Sequence, residues 1–348
     1  MKWYNKYKYY IFVAMKILRH LLFPVVPIYF MVTWLRNKLY DLGIKKAMNY
    51  DFPVICVGNL SAGGTGKTPM IEYLVKLLKA DYKVATLSRG YKRKTTGFQL
   101  ANASATVETI GDEPFQFYNK FKDAIEVAVD SDRQNGIAEL QALSKKLDVI
   151  LLDDAFQHRK VQAGFNIMLT TYSNPFFSDI VLPTGDLREP RSGAKRAHCI
   201  VVTKCPLDIN NSEKEAIIKR INPLKSQSVF FSSIVYSETL FSEAESITFE
   251  AIKPFTLVTG IANATPLVQF LKGKQLNFEH LNYKDHHEFS EQDIVELSKK
   301  SLIVTTEKDF MRMKDYTVLR DKLYYLPIEV KIDDKPKFEA LIKAFTKR

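Results

Sequence analysis

The chain has 348 residues, enough for two domains that each have a hydrophobic core. Hydrophobic residues make up 46% and charged residues 26%, which excludes a disordered or fibrous chain, and three cysteines are too few for a disulfide framework. The net charge is +11, and residues 1–46 hold nine Lys or Arg against one acid, Asp41. A general nucleic-acid surface would spread its charge differently. The pattern therefore predicts no nucleic-acid partner and an anionic partner at the N-terminus.

The N-terminal stretch YYIFVAMKILRHLLFPVVPIYFMVTWLRNKLYDLG is the most apolar part of the chain. Its longest uncharged run, Leu21 to Leu35, would span about 22 Å as a helix, whereas a hydrocarbon core is about 30 Å thick. Pro24 and Pro27 also interrupt this run. A buried first helix and a true membrane span are the alternatives. Aromatic and basic residues among the aliphatic ones favour a segment that lies in the interface of an anionic leaflet.

Buried strands and helices alternate along the rest of the chain. The predicted strands up to the middle of the chain are VICVG, KVATLSRG, AIEVAVD, VILLDD, NIMLTTY and CIVVTKC, with helices from Pro69 to Lys79 and in SDRQNGIAELQALSKKL. This order predicts an α/β fold with a mostly parallel sheet. The pattern restarts after about residue 226, with FFSSIVY, FTLVTGIA, a helix from Thr265, FEHLNYK, SLIVTT and YYLPIEVKI.

We therefore predict three consecutive segments. Residues 1–46 form an apolar and basic segment that associates with a membrane. Residues 47–226 form a nucleotide-binding domain, and residues 227–348 form a smaller α/β domain that closes over the substrate cleft.

The stretch VICVGNLSAGGTGKTPMIEYL predicts a phosphate-binding loop between a strand and a helix. Its glycines let backbone N–H groups wrap phosphate oxygens, Lys67 neutralises the β and γ oxygens, and the Thr68 hydroxyl can hold magnesium. Ser61 replaces the usual first glycine. This replacement alters the entrance of the loop but leaves unchanged the part of the loop that wraps the phosphate. Ala62 stands where partition ATPases carry a signature lysine, which argues against that class. The predicted nucleotide-binding residues are Ser61, Ala62, Gly63, Gly64, Thr65, Gly66, Lys67 and Thr68.

A second element of the site is the pair of carboxylates that ends the strand VILLDD. Asp153 and Asp154 stand where phosphate-loop enzymes place a metal-holding aspartate, and the sequence leaves open which of them touches the metal. Two solvated acids at the end of a strand are the alternative. Arg188 in DLREPRSG offers forked donors that suit phosphate oxygens, and a surface position is its alternative.

Taken in chain order, the motifs resemble a known family. They are GNLSAGGTGKTP, LSRGYKRKTTG, GDEPFQF, VDSDR, LLDDAFQHR, LPTGDLREPRSG, VTGIANATP, DHHEFS and IVTTEKDFMRM. This series resembles the tetraacyldisaccharide 4′-kinases, the lipid A 4′-kinases of Gram-negative bacteria. The resemblance implies transfer of the γ-phosphate of ATP, with Mg²⁺, to the 4′-hydroxyl of tetraacyldisaccharide 1-phosphate, which gives lipid IVA. It also implies a peripheral, monotopic protein on the cytoplasmic face of the inner membrane, contact with anionic lipids there, and no obligate protein partner.

The resemblance also assigns roles in GDEP and DHH. It makes Asp112 the base that accepts the hydroxyl proton, and Glu113 a magnesium contact beside Thr68 and Asp153 or Asp154. It implies that His286 or His287 supports Asp112 across the interdomain cleft, and it leaves Arg188 to contact the γ-phosphate or the sugar 1-phosphate. The alternatives are a surface helix start for GDEP, and a solvated loop or a dinuclear metal site for DHH. No further acid–histidine cluster in the sequence completes such a metal site.

This sequence departs from the commoner family pattern at Lys92, at Ala155 and at TGD (184–186), all in loops near the predicted site. These departures bear on sugar or acyl-chain contacts. A membrane-associated regulatory ATPase or GTPase is the main rival. It would explain the loop and the N-terminus, but it would not explain GDEP, DHH or the second domain. The segment TKCP matches only part of a motif that reads the guanine base, so ATP is favoured. A membrane scaffold without activity is a third alternative.

Overall fold

The computed structural model describes residue 19 and residues 21–143, 147–285 and 287–347. Within these residues, no helix is both long enough and apolar enough to cross a membrane. The helices of this part of the chain, in order, are α1 (Val26–Asp41), α2 (Lys67–Leu78), α3 (Val107–Ile110), α4 (Asp112–Phe121), α5 (Arg133–Leu143), α6 (Asn211–Ile221), α7 (Thr265–Gly273), α8 (Glu291–Ser298), α9 (Glu307–Met313) and α10 (Lys335–Thr346).

The strands, numbered in the same way, are β1 (Val54–Asn59), β2 (Val84–Ser88), β3 (Gln99–Leu100), β4 (Glu126–Val129), β5 (Val149–Asp153), β6 (Phe165–Thr171), β7 (Cys199–Thr203), β8 (Ser228–Tyr236), β9 (Thr239–Phe241), β10 (Ser246–Thr248), β11 (Phe255–Thr259), β12 (Phe278–Asn282), β13 (Ile303–Thr306), β14 (Leu323–Leu326) and β15 (Ile328–Ile332). Strands followed by helices give the predicted α/β fold, with mostly parallel pairing.

Contacts divide the chain into two compact units, and each unit is discontinuous in sequence. The first contains Met1–Lys67, Asp148–Ser233 and Ile332–Arg348, and the second contains Thr68–Leu147 and Ile234–Lys331. The predicted domains are instead consecutive segments of the chain. Their boundaries, at residues 46 and 226, stay a prediction.

The first unit is built on parallel strands in the order β8-β7-β6-β1-β5. Strands β1, β5 and β7 are buried at every position, as expected of a sheet covered on both faces. Helix α10 completes this unit, because Phe338 packs edge-on against Phe230 with ring centroids 5.2 Å apart. Phe345 packs against Phe165 with the rings tilted by 40° and their centroids 5.3 Å apart.

The second unit contains β2 paired with β4, and a separate six-stranded sheet in the order β10-β9-β14-β13-β11-β12. In that sheet β14, β13, β11 and β12 run parallel, and the β9–β10 hairpin adds the antiparallel edge. Helices α4, α8 and α9 contribute side chains to one apolar core, among them Phe115, Ile294 and Phe310.

Helix α1 has no buried residue. Pro24 lies in a short 3-10 turn (Phe23–Val25) and Pro27 lies in the first turn of α1, so the two prolines begin this helix and do not interrupt it. The large apolar side chains exposed on α1 are Ile28, Phe30, Met31, Val32, Trp34 and Leu35. Membrane association of residues 1–46 stays a prediction, and residues 1–18 and 20 lie outside the described part.

Candidate active site

The glycine-rich loop connects β1 to α2. Strand β1 is buried along its whole length and pairs in parallel with β5, with Val57 opposite Asp153. Because parallel strands end at the same edge of a sheet, the loop after β1 and the carboxylates that end β5 lie at one edge. This is the edge at which open α/β sheets bind ligands.

The shape of the loop is fixed by its own backbone and by the end of β7. Gly66 has a φ of +87°, in the left-handed region that suits glycine. The Thr203 hydroxyl donates to the carbonyl of Thr65 at 2.8 Å, and the Lys204 ammonium donates to the carbonyl of Gly64 at 2.6 Å. The loop carbonyls are therefore held by protein donors, which favours a conformation set before any phosphate arrives.

The two irregular positions of the loop have local explanations. Ser61 is buried and forms an isolated antiparallel bridge with Leu187, so it belongs to an extended entrance to the loop. Ala62 donates its N–H to the carbonyl of Asp186 at 2.6 Å. Pro69 is the third residue of α2, where the missing N–H would have no intrahelical acceptor.

Three of the predicted site residues meet in the first unit. The Lys67 ammonium lies 3.6 Å from a carboxylate oxygen of Asp154. One guanidinium nitrogen of Arg188 lies 3.0 and 3.1 Å from the two oxygens of the same carboxylate. Asp154 follows the last residue of β5 and has a φ of +50°. Its backbone N–H donates to the carbonyl of Val57 in β1. A cluster of two cations around one carboxylate can exchange that carboxylate for phosphate oxygens.

Lys204 is a loop contact that the sequence analysis missed. Burial lowers the pKa of its ammonium, and the nearby charge of Lys67 lowers it further. This lysine adds a second cation to the loop that carries Lys67. In the sequence it was considered only as part of TKCP, because a lysine at a strand end has no distinctive spacing from a loop about 140 residues earlier.

Thr68 and Glu113 come together in the second unit. The Thr68 hydroxyl donates to a carboxylate oxygen of Glu113 at 3.2 Å, and both residues lie in the first turn of their helices, α2 and α4. A hydroxyl beside a carboxylate supplies the hard oxygen donors that Mg²⁺ accepts. Asp153 is only 2% exposed, at the last position of β5.

Asp112 is the first residue of α4, and its carboxylate is held by Arg312 of α9. The guanidinium of Arg312 contacts both oxygens of Asp112, with Nε 3.4 Å from Oδ1. Arg312 also donates to Asp309 at 3.1 Å. Gly111 precedes Asp112 with a φ of +91°, and a Cβ there would lie 2.9 Å from the carbonyl oxygen of Tyr91. The backbone that aims Asp112 therefore requires glycine.

Asp309 anchors this group from inside the fold. Its side chain is 0% exposed and accepts the N–H of Gly260 and the Thr306 hydroxyl, both at 2.8 Å. Burial raises the pKa of Asp309, and the three donors around it oppose that change. No role for Arg312 or Asp309 could be assigned from the sequence, because 200 residues separate Arg312 from Asp112 and no local pattern marks the pair.

His287 pairs with a different acid, Asp293. Its Nε2 lies 3.0 Å from Asp293, and its ring stacks on Tyr283 with centroids 4.5 Å apart. His286 lies outside the described residues. Support of the Asp112 base by either histidine stays a prediction.

Three features define a phosphate-loop nucleotide-binding protein. They are the mostly parallel α/β fold, the glycine-rich loop that leads from a strand into a helix, and Lys67 beside a carboxylate at the neighbouring strand end. The family model described as LpxK, tetraacyldisaccharide-1-P 4′-kinase, matches residues 18–347. The chain belongs to this family.

Curated relatives and a solved structure agree with the family match. The tetraacyldisaccharide 4′-kinase of Flavobacterium psychrophilum is 49% identical, over 94% of this chain and 97% of its own length. The enzyme of that name from Flavobacterium johnsoniae is 49% identical, over 90% and 93% of the two chains. LpxK from Aquifex aeolicus, solved in complex with ATP, superposes with a TM-score of 0.76 at 29% identity, over 94% of this chain and 99% of the other. The predicted family and fold class are confirmed.

Proposed function

We propose that the protein is an ATP-dependent kinase that phosphorylates the 4′-hydroxyl of tetraacyldisaccharide 1-phosphate and gives lipid IVA. The observation that carries this proposal is the family match over residues 18–347, which includes the glycine-rich loop, GDEP and the strand end at Asp153 and Asp154. The substrate follows from the name that the family and its curated members share. A regulatory ATPase, the rival from the sequence, has no structural observation in its favour.

The donor side of the reaction belongs to the loop and to Arg188. Backbone N–H groups of residues 61–66 would bind the phosphates of ATP, and Lys67 would neutralise charge on the transferred phosphoryl group. Arg188 already lies within 3.0 Å of Asp154, so its guanidinium is held on the same carboxylate as the Lys67 ammonium. The same fork suits either the γ-phosphate or the 1-phosphate of the sugar.

Mg²⁺ is the proposed metal, and the side chains of Thr68 and Glu113 fit it. In the part of the chain that the structure describes, no three His, Cys, Asp or Glu side chains group closely enough to hold a metal unaided. This is the expected donor set for an ion that keeps several waters and binds mainly to substrate phosphates. When bound, Mg²⁺ would offset charge on the phosphates of ATP. The metal contact of Asp153 or Asp154, in the first unit, stays a prediction.

Asp112 is the proposed acceptor of the hydroxyl proton. Its ion pair with Arg312 fixes the direction of the carboxylate. Phosphoryl transfer passes through a loose transition state, in which orientation of the hydroxyl matters more than early removal of its proton. A carboxylate held in place by an arginine is consistent with that need.

We further propose that α1 docks on anionic lipid at the cytoplasmic face of the inner membrane. Exposed apolar side chains of α1 between Ile28 and Leu35 and the basic excess of residues 1–46 support it. Sedimentation with vesicles that contain phosphatidylglycerol tests this part, and equal binding to vesicles of neutral lipid alone would contradict the role of anionic lipid.

A radiolabelled-ATP assay with tetraacyldisaccharide 1-phosphate in mixed micelles tests the activity. We expect lipid phosphorylation by the wild-type protein, and Lys67→Met should lower kcat by about 10²–10³-fold, the usual loss when one preorganised charge-stabilising donor is removed. Lys219→Met, at an exposed position of α6, is the matched control. Wild-type protein that binds ATP and leaves the lipid unlabelled would overturn the proposal.

The same assay tests the base. Asp112→Ala should keep ATP affinity and lower kcat by about 10²–10⁴-fold, the range for loss of a general base. Unchanged turnover of this variant would rule out Asp112 as the proton acceptor, whatever the lipid assay shows for the wild type.

A further inference from the structure

A buried charged group joins the three helices that carry the second unit's site candidates. Thr68 lies in the first turn of α2, Asp112 and Glu113 lie in the first turn of α4, and Arg312 belongs to α9. The relative placement of these helices therefore decides where Asp112 and Glu113 lie with respect to Thr68.

Helices α2 and α4 are joined by a ladder of polar contacts. Its first contact, Thr68 to Glu113 at 3.2 Å, lies at the start of both helices. One turn further, the Gln116 amide donates to Glu72 at 2.8 Å. In the last turn of α4, the Lys120 ammonium donates to the other oxygen of Glu72 at 2.6 Å. The contacts advance along both helices in the same direction, so they set one register between α2 and α4.

Lys120 extends this ladder to α9. Its ammonium also donates to Glu307, the first residue of α9, at 2.6 Å. The side chains of Glu72, Lys120 and Glu307 are 5%, 20% and 8% exposed, so this ion bridge is mostly removed from solvent. Arg312 of α9 contacts Asp112 at the other end of α4. Helix α4 is thus tied to α9 by a charge pair at each end.

Apolar packing alone leaves one side of these helices open. Phe115 of α4 and Phe310 of α9 belong to the apolar core on one side. A cavity of about 390 Å³ borders Lys120 and Glu307 on another side. Apolar contacts are non-directional, whereas a lysine shared by two carboxylates permits few arrangements. The bridge therefore fixes the C-terminal end of α4 against both α2 and α9.

We propose that Lys120 is a positioning residue for phosphoryl transfer, which holds α4 between α2 and α9 so that Asp112 and Glu113 are correctly placed relative to Thr68. Lys120 itself lies at the far end of α4 from these residues and acts only through the helix. The expected effect of Lys120 on catalysis rests on the proposed kinase function. Its expected effect on the placement of α4 rests only on the geometry of the second unit.

Charge explains why the bridge needs a cation. Burial and the charge of Glu72 raise the pKa of Glu307 to about 7 even with Lys120 in place. Burial by itself would lower the pKa of Lys120, but the two carboxylates outweigh it and raise that pKa. Without the ammonium, two buried carboxylates would repel each other across the gap between α2 and α9. Helix α4 would keep its contacts through Asp112, Glu113 and Gln116, but its C-terminal end would lose the group that ties it to both α2 and α9.

The test compares three variants of the full chain. Lys120→Met should lower kcat by about 10–100-fold with KM for ATP within about twofold of wild type, because a displacement of about 1 Å at the reacting groups has this effect. Lys120→Arg keeps the charge and should stay within a few fold of wild-type kcat. Lys76→Met is the matched control, since Lys76 pairs with Glu329 at the exposed rim of the same cavity and does not touch α4.

A second readout does not depend on the lipid reaction. Amide hydrogen exchange in residues 112–116 should be faster in Lys120→Met than in the wild type, and unchanged in Lys120→Arg and Lys76→Met. Adding Glu72→Gln to Lys120→Met removes the repulsion and should restore part of kcat and of the protection. If Lys120→Met does not fold, this double variant carries the comparison with the wild type.

Wild-type kcat and wild-type exchange in the folded Lys120→Met protein would overturn the inference. An equal loss in Lys120→Arg and Lys120→Met would also overturn it, because the bridge would then not act through charge. If the wild type fails to phosphorylate the lipid, the proposed function fails, and the exchange of residues 112–116 still decides whether Lys120 fixes α4.

Discussion

Two of the carboxylates that pair with an arginine, Asp154 and Asp309, do so in opposite surroundings. Asp154 of the first unit pairs with Arg188 and Lys67, and the side chains of Asp154 and Arg188 are each 30% exposed. Asp309 of the second unit pairs with Arg312, where the exposed fractions are 0% and 8%. The same chemical pair is open to solvent in one case and enclosed in the other.

This difference in exposure distinguishes a cluster whose cations can change partners from one whose arginine stays paired with its carboxylate. Exposed ion pairs contribute little to stability, so the cations around Asp154 can turn to phosphate at low cost. The Asp309 carboxylate has further donors in the backbone of Gly260 and in Thr306, and loss of one partner would leave a buried charge uncompensated. We therefore propose that the open cluster binds ligand and that the enclosed one fixes the direction of the Asp112 carboxylate.

The largest test of this contrast is removal of the enclosed carboxylate. Asp309→Ala leaves the Arg312 guanidinium and the Gly260 N–H without their buried acceptor, and should lower the free energy of unfolding by about 3–5 kcal/mol. Urea unfolding followed by circular dichroism measures it, with Asp321→Ala at an exposed position as the control. A loss below about 1 kcal/mol would mean that the enclosed pair is no more than a surface pair.

A smaller effect should appear in the pH dependence of stability. The pKa of Glu307 is raised from 4.5 to about 7, so the folded state binds its proton more tightly than the unfolded state does. Stability should therefore fall as the pH rises from about 4.5 to 7, by about 1–3 kcal/mol in total. The groups that face Glu307 or line its cavity are Glu72, Lys120, Tyr325, Lys76 and Glu329.

Glu307→Gln isolates this contribution. The variant cannot take up the proton, so its unfolding free energy should lack the Glu307 part of the slope between pH 4.5 and 7. Urea unfolding of both proteins at several pH values gives the difference. Identical slopes would show that Glu307 titrates at its ordinary pKa.

The smallest effect on stability should come from the open carboxylate. Asp154→Asn should change the free energy of unfolding by less than about 1 kcal/mol, because Asp154 and Arg188 are partly exposed and the amide oxygen of Asn can still accept from both cations. The same variant should bind ATP with altered affinity, since Lys67 and Arg188 lose their shared anion. Isothermal titration with ATP and urea unfolding measure the two effects. A stability loss as large as that of Asp309→Ala would erase the distinction between the clusters.

Much of the fold could be predicted because its strands are continuous buried runs. The runs that begin at Val54, Val149 and Cys199 are strands in the structure, and α2 begins two residues before the predicted Pro69. The glycine-rich loop was equally visible, because glycine, lysine and threonine stand there at fixed spacing. Helices α6 and α10 were not predicted, since both are short amphipathic segments with no site motif.

The ionic partners of the site could not be predicted, since they depend on long-range contacts. Arg312 reaches Asp112, and Lys120 reaches both Glu72 and Glu307, across 48 to 200 residues of sequence. One departure from the family pattern does have a local reading. Lys92, which replaces a usual glycine, has a φ of +61°, so it adopts the left-handed conformation that glycine takes with less strain.

The interleaving of the two units has a consequence for synthesis. The phosphate loop leaves the ribosome early, yet Phe338 and Ile342 of α10, both 0% exposed, complete the core of its unit only after the second unit has been translated. Nascent chains that stop before residue 335 should therefore expose the faces of β6 and β8 that Phe345 and Phe338 cover, and depend on chaperones. A stop codon before codon 335 would then impair nucleotide binding at a loop encoded some 270 codons earlier.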